Sequence, residues 1–237
     1  ELSESANEAT QKALKSSLFE RLYNDLRRRE QSDGVLRVVT LDKQFRMHPV
    51  LGRFVSEVFY EDYGEGFESP LLAKNFAHNL DRWKKADAPV CAAWQHIPLK
   101  AGKERRVGTS WARPEEARWI ASTVRELLEG QAHDLNIGVI TFYTAQVNAI
   151  LEAMLDERLS VRDPDTGALD VAPRWRTLER KGKREEWLRV GTVDAFQGME
   201  FDLVFLSVVR SNPLVPEDEA QLRRKFGHLL LPNRLCV

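Results

Sequence analysis

The residues best suited to do chemistry fall into a few short strings. In Leu41-Asp42-Lys43-Gln44-Phe45-Arg46-Met47-His48-Pro49 a guanidinium lies between the end of one predicted element and the start of the next. Arg keeps its charge and offers a rigid fork of donors that suits phosphate, so Arg46 held there can point across a cleft. Taken alone, the local pattern favours a plainer outcome, a surface pair with a carboxylate. A second string runs Arg189-Val190-Gly191-Thr192-Val193-Asp194-Ala195-Phe196-Gln197-Gly198-Met199-Glu200-Phe201-Asp202, with the apolar stretch Leu203 to Val209 behind it. It reads as strand, polar loop, strand, and rigid strands presenting a polar loop are how α/β proteins hold ligands. A third, Ile137-Gly138-Val139-Ile140-Thr141-Phe142-Tyr143-Thr144-Ala145-Gln146, is a near-continuous apolar run passing into polar positions. The last is basic: Arg174, Arg176, Arg180, Lys181, Lys183 and Arg184, flanked by Trp175 and Trp187. Aromatics among cations bind single strands by stacking and phosphate neutralisation. Glu179, Glu185 and Glu186 dilute that charge and favour an ordinary solvated loop.

The intervening periodicity indicates what positions these strings. Leu14, Leu18, Leu22 and Leu26 recur every four residues, predicting a helix over about Asn7 to Arg29. Val35 to Leu41, rich in Val and Thr after Asp33-Gly34, predicts a strand. Pro49 opens a helix at a position where its missing N–H costs nothing; Val50, Leu51, Phe54, Val55, Val58 and Phe59 form the apolar stripe. Residues 61–89 lack a sustained period and read as an irregular connection. Val90 to Ile97 predicts a strand. Pro114 to Leu128 predicts a helix with Glu115 and Glu116 in its positive first turn. Its inner face is Ala117, Ile120, Ala121, Val124, Leu127 and Leu128. Ile137 to Phe142 reads as a strand buried on both faces. Thr144 is placed to cap the next helix, whose stripe is Val147, Ile150, Leu151, Met154 and Leu155. Residues 161–188 break the rhythm as an inserted hairpin or loop. Leu203 to Val209 reads as a central strand, Glu217 to Phe226 as a short helix and Leu229 to Val237 as a final strand. Strands alternating with helices argue for a mostly parallel α/β sheet with helices on both faces.

Composition sets limits. The 237 residues carry 43% hydrophobic side chains, enough for a substantial core, and a net charge of -1, so any nucleic-acid site is a local patch. The two cysteines, Cys91 and Cys236, read as reduced thiols of a cytosolic protein. The five histidines are scattered, without metal-ligand spacing. No apolar stretch is long enough to span a membrane. A first residue other than Met and a buried-looking end at Val237 suggest a piece of a longer protein.

The second string resembles motif V of superfamily 1 helicases, T-V-D-x-F-Q-G-x-E-x-D. The first resembles motif IV of the superfamily 1B branch, L-x-x-Q-[YF]-R-M-H-P. Ile137 to Gln146 is similar to the family segment I-G-V-I-[TS]-P-Y-x-x-Q, with Phe142 where Pro is usual. Gly227 to Val237 resembles, more weakly, the start of motif VI, with Asn233 and Cys236 departing from the pattern and Arg234 matching it. The resemblance implies a P-loop NTPase fold of RecA-like type, three-layer α/β/α, forming the second RecA-like domain over residues 35–237, with residues 1–34 leading in. It implies that Arg46 acts as an arginine finger on the γ-phosphate of ATP and that Phe45 packs near the adenine. Glu200 would bond the ribose, with Gln197 and Gly198 shaping the loop beside the nucleotide. Thr141, Tyr143, Thr192 and Asp194 would face the nucleic acid.

No G-x-x-x-x-G-K-[ST] occurs, and Asp218-Glu219 does not follow an apolar strand. The expectation is therefore the C-terminal motor half of an ATP-dependent DNA or RNA helicase, with ATP and Mg²⁺ bound mainly by a first RecA-like domain elsewhere in the polypeptide. This piece is expected to be inactive alone. The expected partners are single-stranded DNA or RNA and that first domain, with no membrane, in the cytoplasm or, in a eukaryote, the nucleus. The alternative is a non-catalytic binding module with a degenerate helicase fold.

Overall fold

The computed structural model describes residues 18–85, 88–231 and 235. In chain order its strands are β1 (Lys84–Lys85), β2 (Ala88–Pro89), β3 (Arg105–Val107), β4 (Ser110–Ala112), β5 (Ile137–Thr141), β6 (Ser160–Arg162), β7 (Leu169–Val171), β8 (Thr177–Arg180), β9 (Lys183–Glu186), β10 (Leu188–Thr192) and β11 (Leu203–Ser207). The α-helices are α1 (Leu18–Asp33), α2 (Pro49–Phe59), α3 (Pro114–Glu129), α4 (Thr144–Asp156), α5 (Pro173–Arg176) and α6 (Glu219–Phe226). Among the described residues, no helix is long and apolar enough to cross a membrane.

The centre is a three-stranded parallel sheet in the order β10-β5-β11. Its register aligns Ile137, Val139 and Thr141 with Leu188, Val190 and Thr192 on one side and with Leu203, Phe205 and Ser207 on the other. Successive side chains of a strand alternate between faces, so these residues share one face and Gly138, Ile140, Arg189, Gly191, Val204 and Leu206 share the other. The first face packs against the predicted inner face of α3 and against Ile150, Leu151 and Met154 of α4, forming the main core. Completely burying side chains such as Ile137 and Val139 stabilises the fold by roughly 1.5–3 kcal/mol each. The α/β class with a parallel sheet, and the RecA-like type of fold, are as expected. The second face is covered only in part, by Phe196 and Phe201, whose rings lie against Gly138, while Val204 and Leu206 are exposed.

Several local expectations fail, each for an identifiable reason. Val35 to Leu41 is not a strand; Leu36, Val39 and Leu41 are exposed. β-propensity describes residues that fit a sheet, and here no ladder adjoins them. The segment is tethered instead by Thr40, whose hydroxyl donates to Glu65 at 2.6 Å. Glu65 also meets Tyr23 and Arg27 of α1, and these contacts, led by Thr40, hold its carboxyl below the ordinary range. α1 ends at Gly34, whose φ of 70° is the left-handed conformation that stops helices. The helix's predicted beginning before Leu18 lies outside the described residues.

Helix α2 exposes Val50, Phe54 and Val58 of its predicted stripe and buries Gly52 and Ser56. Val90 to Ile97 is irregular, with no strand ladder alongside it, and at its end the Ile97 carbonyl, like that of Pro98, accepts from the buried Arg113 guanidinium. Thr144 is the first residue of α4 and makes no side-chain cap; the Ala145 N–H donates to Ser110 Oγ instead. Leu203 to Val209 is regular only to Ser207, and β5, not β11, is the middle strand. Leu229 and Leu230 lie in a 3-10 turn, Gly227–Leu230, and most of the predicted final strand lies outside the described residues.

Candidate active site

The turn before α2 is held from within. The side-chain oxygen of Gln44 accepts from the backbone N–H groups of Arg46 and Met47, both at 2.9 Å. The Gln44 amide nitrogen donates to the Met47 carbonyl at 2.9 Å and to Ser69 Oγ at 2.6 Å. His48 caps α2 by accepting the Val50 N–H. The side chains between them stand outward: Phe45 is 60% exposed. Arg46 Nε donates to Glu200 Oε1 at 2.8 Å, so residues 154 apart in sequence meet on the surface. The structure thus brings together the two charged groups that the motifs assign to opposite ends of a nucleotide.

Glu200 belongs to a connection with an unusual path. Because β10 and β11 run parallel, Thr192 ends one strand at the carboxyl edge of the sheet while Asp202 precedes the next at the amino edge. Val193–Asp202 must therefore cross the second face of the sheet. It lies close because Gly138 and Gly191 have no side chains there: a Cβ on Gly138 would stand 2.9 Å from the Phe196 ring and 3.1 Å from that of Phe201. Gly198 takes a φ of 80°, the left-handed conformation that glycine adopts without strain. Gln197, Gly198, Glu200 and Asp194 are exposed and Thr192 is half-buried. At the amino edge, Asp202 accepts from the Asn136 N–H at 3.1 Å and from Arg180 at 2.6 Å, while its own N–H donates to Asn136 Oδ1. Burial opposes the charge of Arg180, but Asp202 and Glu185 outweigh it and raise its pKa.

The carboxyl edge is closed. Thr141 is completely buried and Tyr143 is 4% exposed, and neither hydroxyl has a hydrogen-bond partner. The expected surface contacts of these two residues with a strand are not displayed in this arrangement. Tyr143 is covered by the His228 ring, with centroids 5.4 Å apart. The cover is fastened by a buried pair, Glu104 and Arg210, at 3.0 Å. Arg210 lies over the Trp111 ring and donates to the Arg224 carbonyl, and Asn212 donates to that of Lys225. Behind it, Glu116 accepts from Ser207 Oγ at 2.8 Å and from the Val209 N–H at 3.0 Å. Val209 holds a φ of 68°, rare for a β-branched residue. Gln146 is fully buried and bonds Arg113 and Ser207, which fixes the loop.

Sequence reasoning assigned no role to Gln44, Glu104 or Arg210, and to Glu116 only a place in the first turn of its helix. The available signal was a charged Arg-Ser-Asn ending an apolar run, where a buried charge needs a partner. In the basic stretch, β8 and β9 form a hairpin whose turn residues Lys181 and Gly182 both have positive φ. Trp175 is buried against Trp187, with centroids 4.9 Å apart, so Trp175 is core and not the exposed stacking platform of the less favoured strand-binding reading. Lys181, Lys183 and Arg184 remain exposed. Cys91 is a free thiol, and Cys236 and Arg234's neighbour Asn233 lie outside the described residues, as does Arg234 itself. Among the described residues, no group of three or more His, Cys, Asp or Glu is arranged to hold a metal ion.

The AAA domain family matches residues 14–237. The chain is 31% identical to a Regulator of nonsense transcripts 1 homolog of Neurospora crassa, over 97% of this chain and 17% of that protein. It is 30% identical to Regulator of nonsense transcripts 1 of Caenorhabditis elegans, over 93% of this chain and 18% of that protein. It is 29% identical to the ATP-dependent helicase upf1 of Schizosaccharomyces pombe, over 93% of this chain and 21% of that protein. The chain therefore spans about a fifth of the length of the curated relatives it matches. With its parallel α/β core and the family match over residues 14–237, the chain belongs to the AAA domain family, as a superfamily 1B helicase domain of the branch that includes the nonsense-mediated-decay helicase.

Proposed function

We propose that this chain is the C-terminal motor half of an ATP-dependent DNA or RNA helicase or translocase. The observation that carries this reading is the contact between Arg46 and Glu200, two exposed side chains from distant motifs. An exposed ion pair contributes little stability, about 0–1 kcal/mol, so its partners are readily exchanged for a ligand. A nucleotide entering beside Phe45 would take Arg46 onto its γ-phosphate and Glu200 onto a ribose hydroxyl. Phe45 offers an open aromatic face for the base, and the turn at Gln197-Gly198 would border the phosphates. The residues present fit the outer side of an ATP site. Mg²⁺ and the phosphate cradle would come from the first RecA-like domain, and this piece alone would not turn over ATP. Mg²⁺-bound ATP supplies the phosphoryl group that is transferred to water; Arg46 neutralises charge on it. Thr192 and Asp194, with Thr141 and Tyr143 once uncovered, would form one side of the single-strand track.

The test is ATP turnover by the full parent protein, with and without single-stranded DNA or RNA, for wild type and Arg46→Ala. Strand-stimulated turnover that falls roughly a thousand-fold in the variant is expected. Unchanged turnover in Arg46→Ala would remove the finger, and strand binding without any turnover in the wild type would favour a binding module.

A further inference from the structure

We propose that Gln44 is a positioning residue for Phe45 and Arg46, acting through a clip with Ser69 that closes over Gly52. The proposal rests on the reading of Arg46 as the group that meets the γ-phosphate. Its starting point is that the turn between Asp42 and Pro49 has no regular hydrogen-bond ladder of its own. The backbone N–H groups of Arg46 and Met47 therefore need acceptors, and a single side-chain oxygen serves both. An amide oxygen has two lone pairs and an amide nitrogen two hydrogens, so the four Gln44 side-chain bonds use its full capacity. Turning the amide over would aim N–H groups at N–H donors, so only one orientation satisfies the turn.

The clip is anchored on its far side. The Gln44 N–H donates to the Glu68 carbonyl at 2.9 Å, and the Glu68 N–H donates to that of Asp42 at 2.8 Å. These bonds make a parallel bridge between Lys43 and Glu68 and bring Ser69 alongside the Gln44 side chain. Gly52, inside α2, provides the room. A Cβ there would lie 2.2 Å from Ser69 Oγ and 2.7 Å from Gln44 Nε2. Glycine inside a helix costs about 1 kcal/mol relative to alanine, and here the absence of a side chain lets the clip approach the helix.

The arrangement matters because Phe45 and Arg46 are exposed and receive little packing support. Their direction is set through the backbone, and the backbone is set by Gln44. A finger displaced by about 1 Å loses on the order of a hundred-fold in rate, because the reacting groups no longer align. That loss belongs to the transition state and falls on kcat, leaving ground-state binding of ATP largely intact.

The experiment measures strand-stimulated ATP turnover by the full parent protein for wild type, Arg46→Ala, Gln44→Ala, Gln44→Glu and Gly52→Ala, with thermal unfolding followed in parallel. Gln44→Ala should lower kcat about a hundred-fold while KM for ATP changes less than about threefold. Gln44→Glu keeps the oxygen that accepts from Arg46 and Met47 but sets a second acceptor beside the Met47 carbonyl, so it should recover only part of the loss. Gly52→Ala, which pushes the clip aside from the helix, should reproduce the kcat defect. If Arg46→Ala collapses turnover while Gln44→Ala and Gly52→Ala retain wild-type kcat, the positioning role is overturned and the finger stands. If Arg46→Ala also keeps wild-type turnover, the finger fails and the clip's role falls with it. A Gln44→Ala defect that Gln44→Glu does not relieve, accompanied by a matching drop in unfolding temperature, would mark general loosening and overturn the proposal as well.

Discussion

The corner at Arg46 and the carboxyl edge at Tyr143 carry motifs of similar specificity, yet they fold in opposite ways. At the corner the side chains stand in solvent and the backbone is fixed behind them by Gln44. At the carboxyl edge the side chains are buried beneath His228, and charged groups lock the cover. Exposed groups with a fixed backbone are ready to meet a ligand. Buried hydroxyls without partners carry a penalty that a ligand or a rearrangement would relieve. The same family pattern thus yields one region already open and another that is closed.

Three measurements bear on that contrast. The largest effect is expected from Arg210→Ala, which leaves the buried Glu104 carboxylate without its countercharge, held only by the Ser211 N–H and the Asn212 amide. Stability of the chain should fall by about 3–5 kcal/mol in urea unfolding. Arg46→Ala, in the same assay, should move stability by no more than about 1 kcal/mol, because its pair is exposed. Equal losses at both sites would erase the distinction between open and closed. Next is Tyr143→Phe. Removing a buried hydroxyl that bonds nothing should raise stability by about 1 kcal/mol, the sign opposite to most core changes. A clear loss would mean that the hydroxyl is partnered in solution.

The smallest effect lies outside both regions, where α1 ends. Bonds from Arg37, then from the Val35 N–H, lower the Asp33 carboxyl to about 2. A depressed carboxyl stabilises the folded state above its unfolded value near 4, and that contribution disappears as pH falls through about 2. Carboxyl-carbon NMR should find Asp33 titrating at the bottom of this window. A midpoint near 4 would show the contact with Arg37 to be open in solution.

Much of this fold could be read in advance where an element names its own partner by periodicity. The stripe from Ala117 to Leu128 and the run at Ile137 did so, because a buried face repeats at a fixed interval. Val35 to Leu41 and Val90 to Ile97 did not. A strand needs a neighbour, and composition does not say which neighbour arrives. In the second case no neighbour arrived, and the carbonyl at the segment's end, that of Ile97, went to the Arg113 guanidinium. The site divides similarly. The surface pairing of Arg46 with a carboxylate is the plainer outcome that its local pattern favoured, and motif resemblance set Arg46 and Glu200 at one nucleotide without foreseeing their contact. The burial of Tyr143 involves Trp111 and His228, which no local pattern connects to it. Gln44 lay in plain view within its motif, but its work is geometric and becomes visible only with the positions of two N–H groups.

The path of Val193–Asp202 has a further consequence. One unbroken length of backbone, seated against Gly138 and Gly191, passes from the carboxyl edge of the sheet to the amino edge. Whatever immobilises Thr192 at one end therefore removes freedom from the loop that carries Glu200. Were ligands to bind at both ends, as the proposed function has it, this shared backbone would couple them through a common ordering cost, without any change of shape.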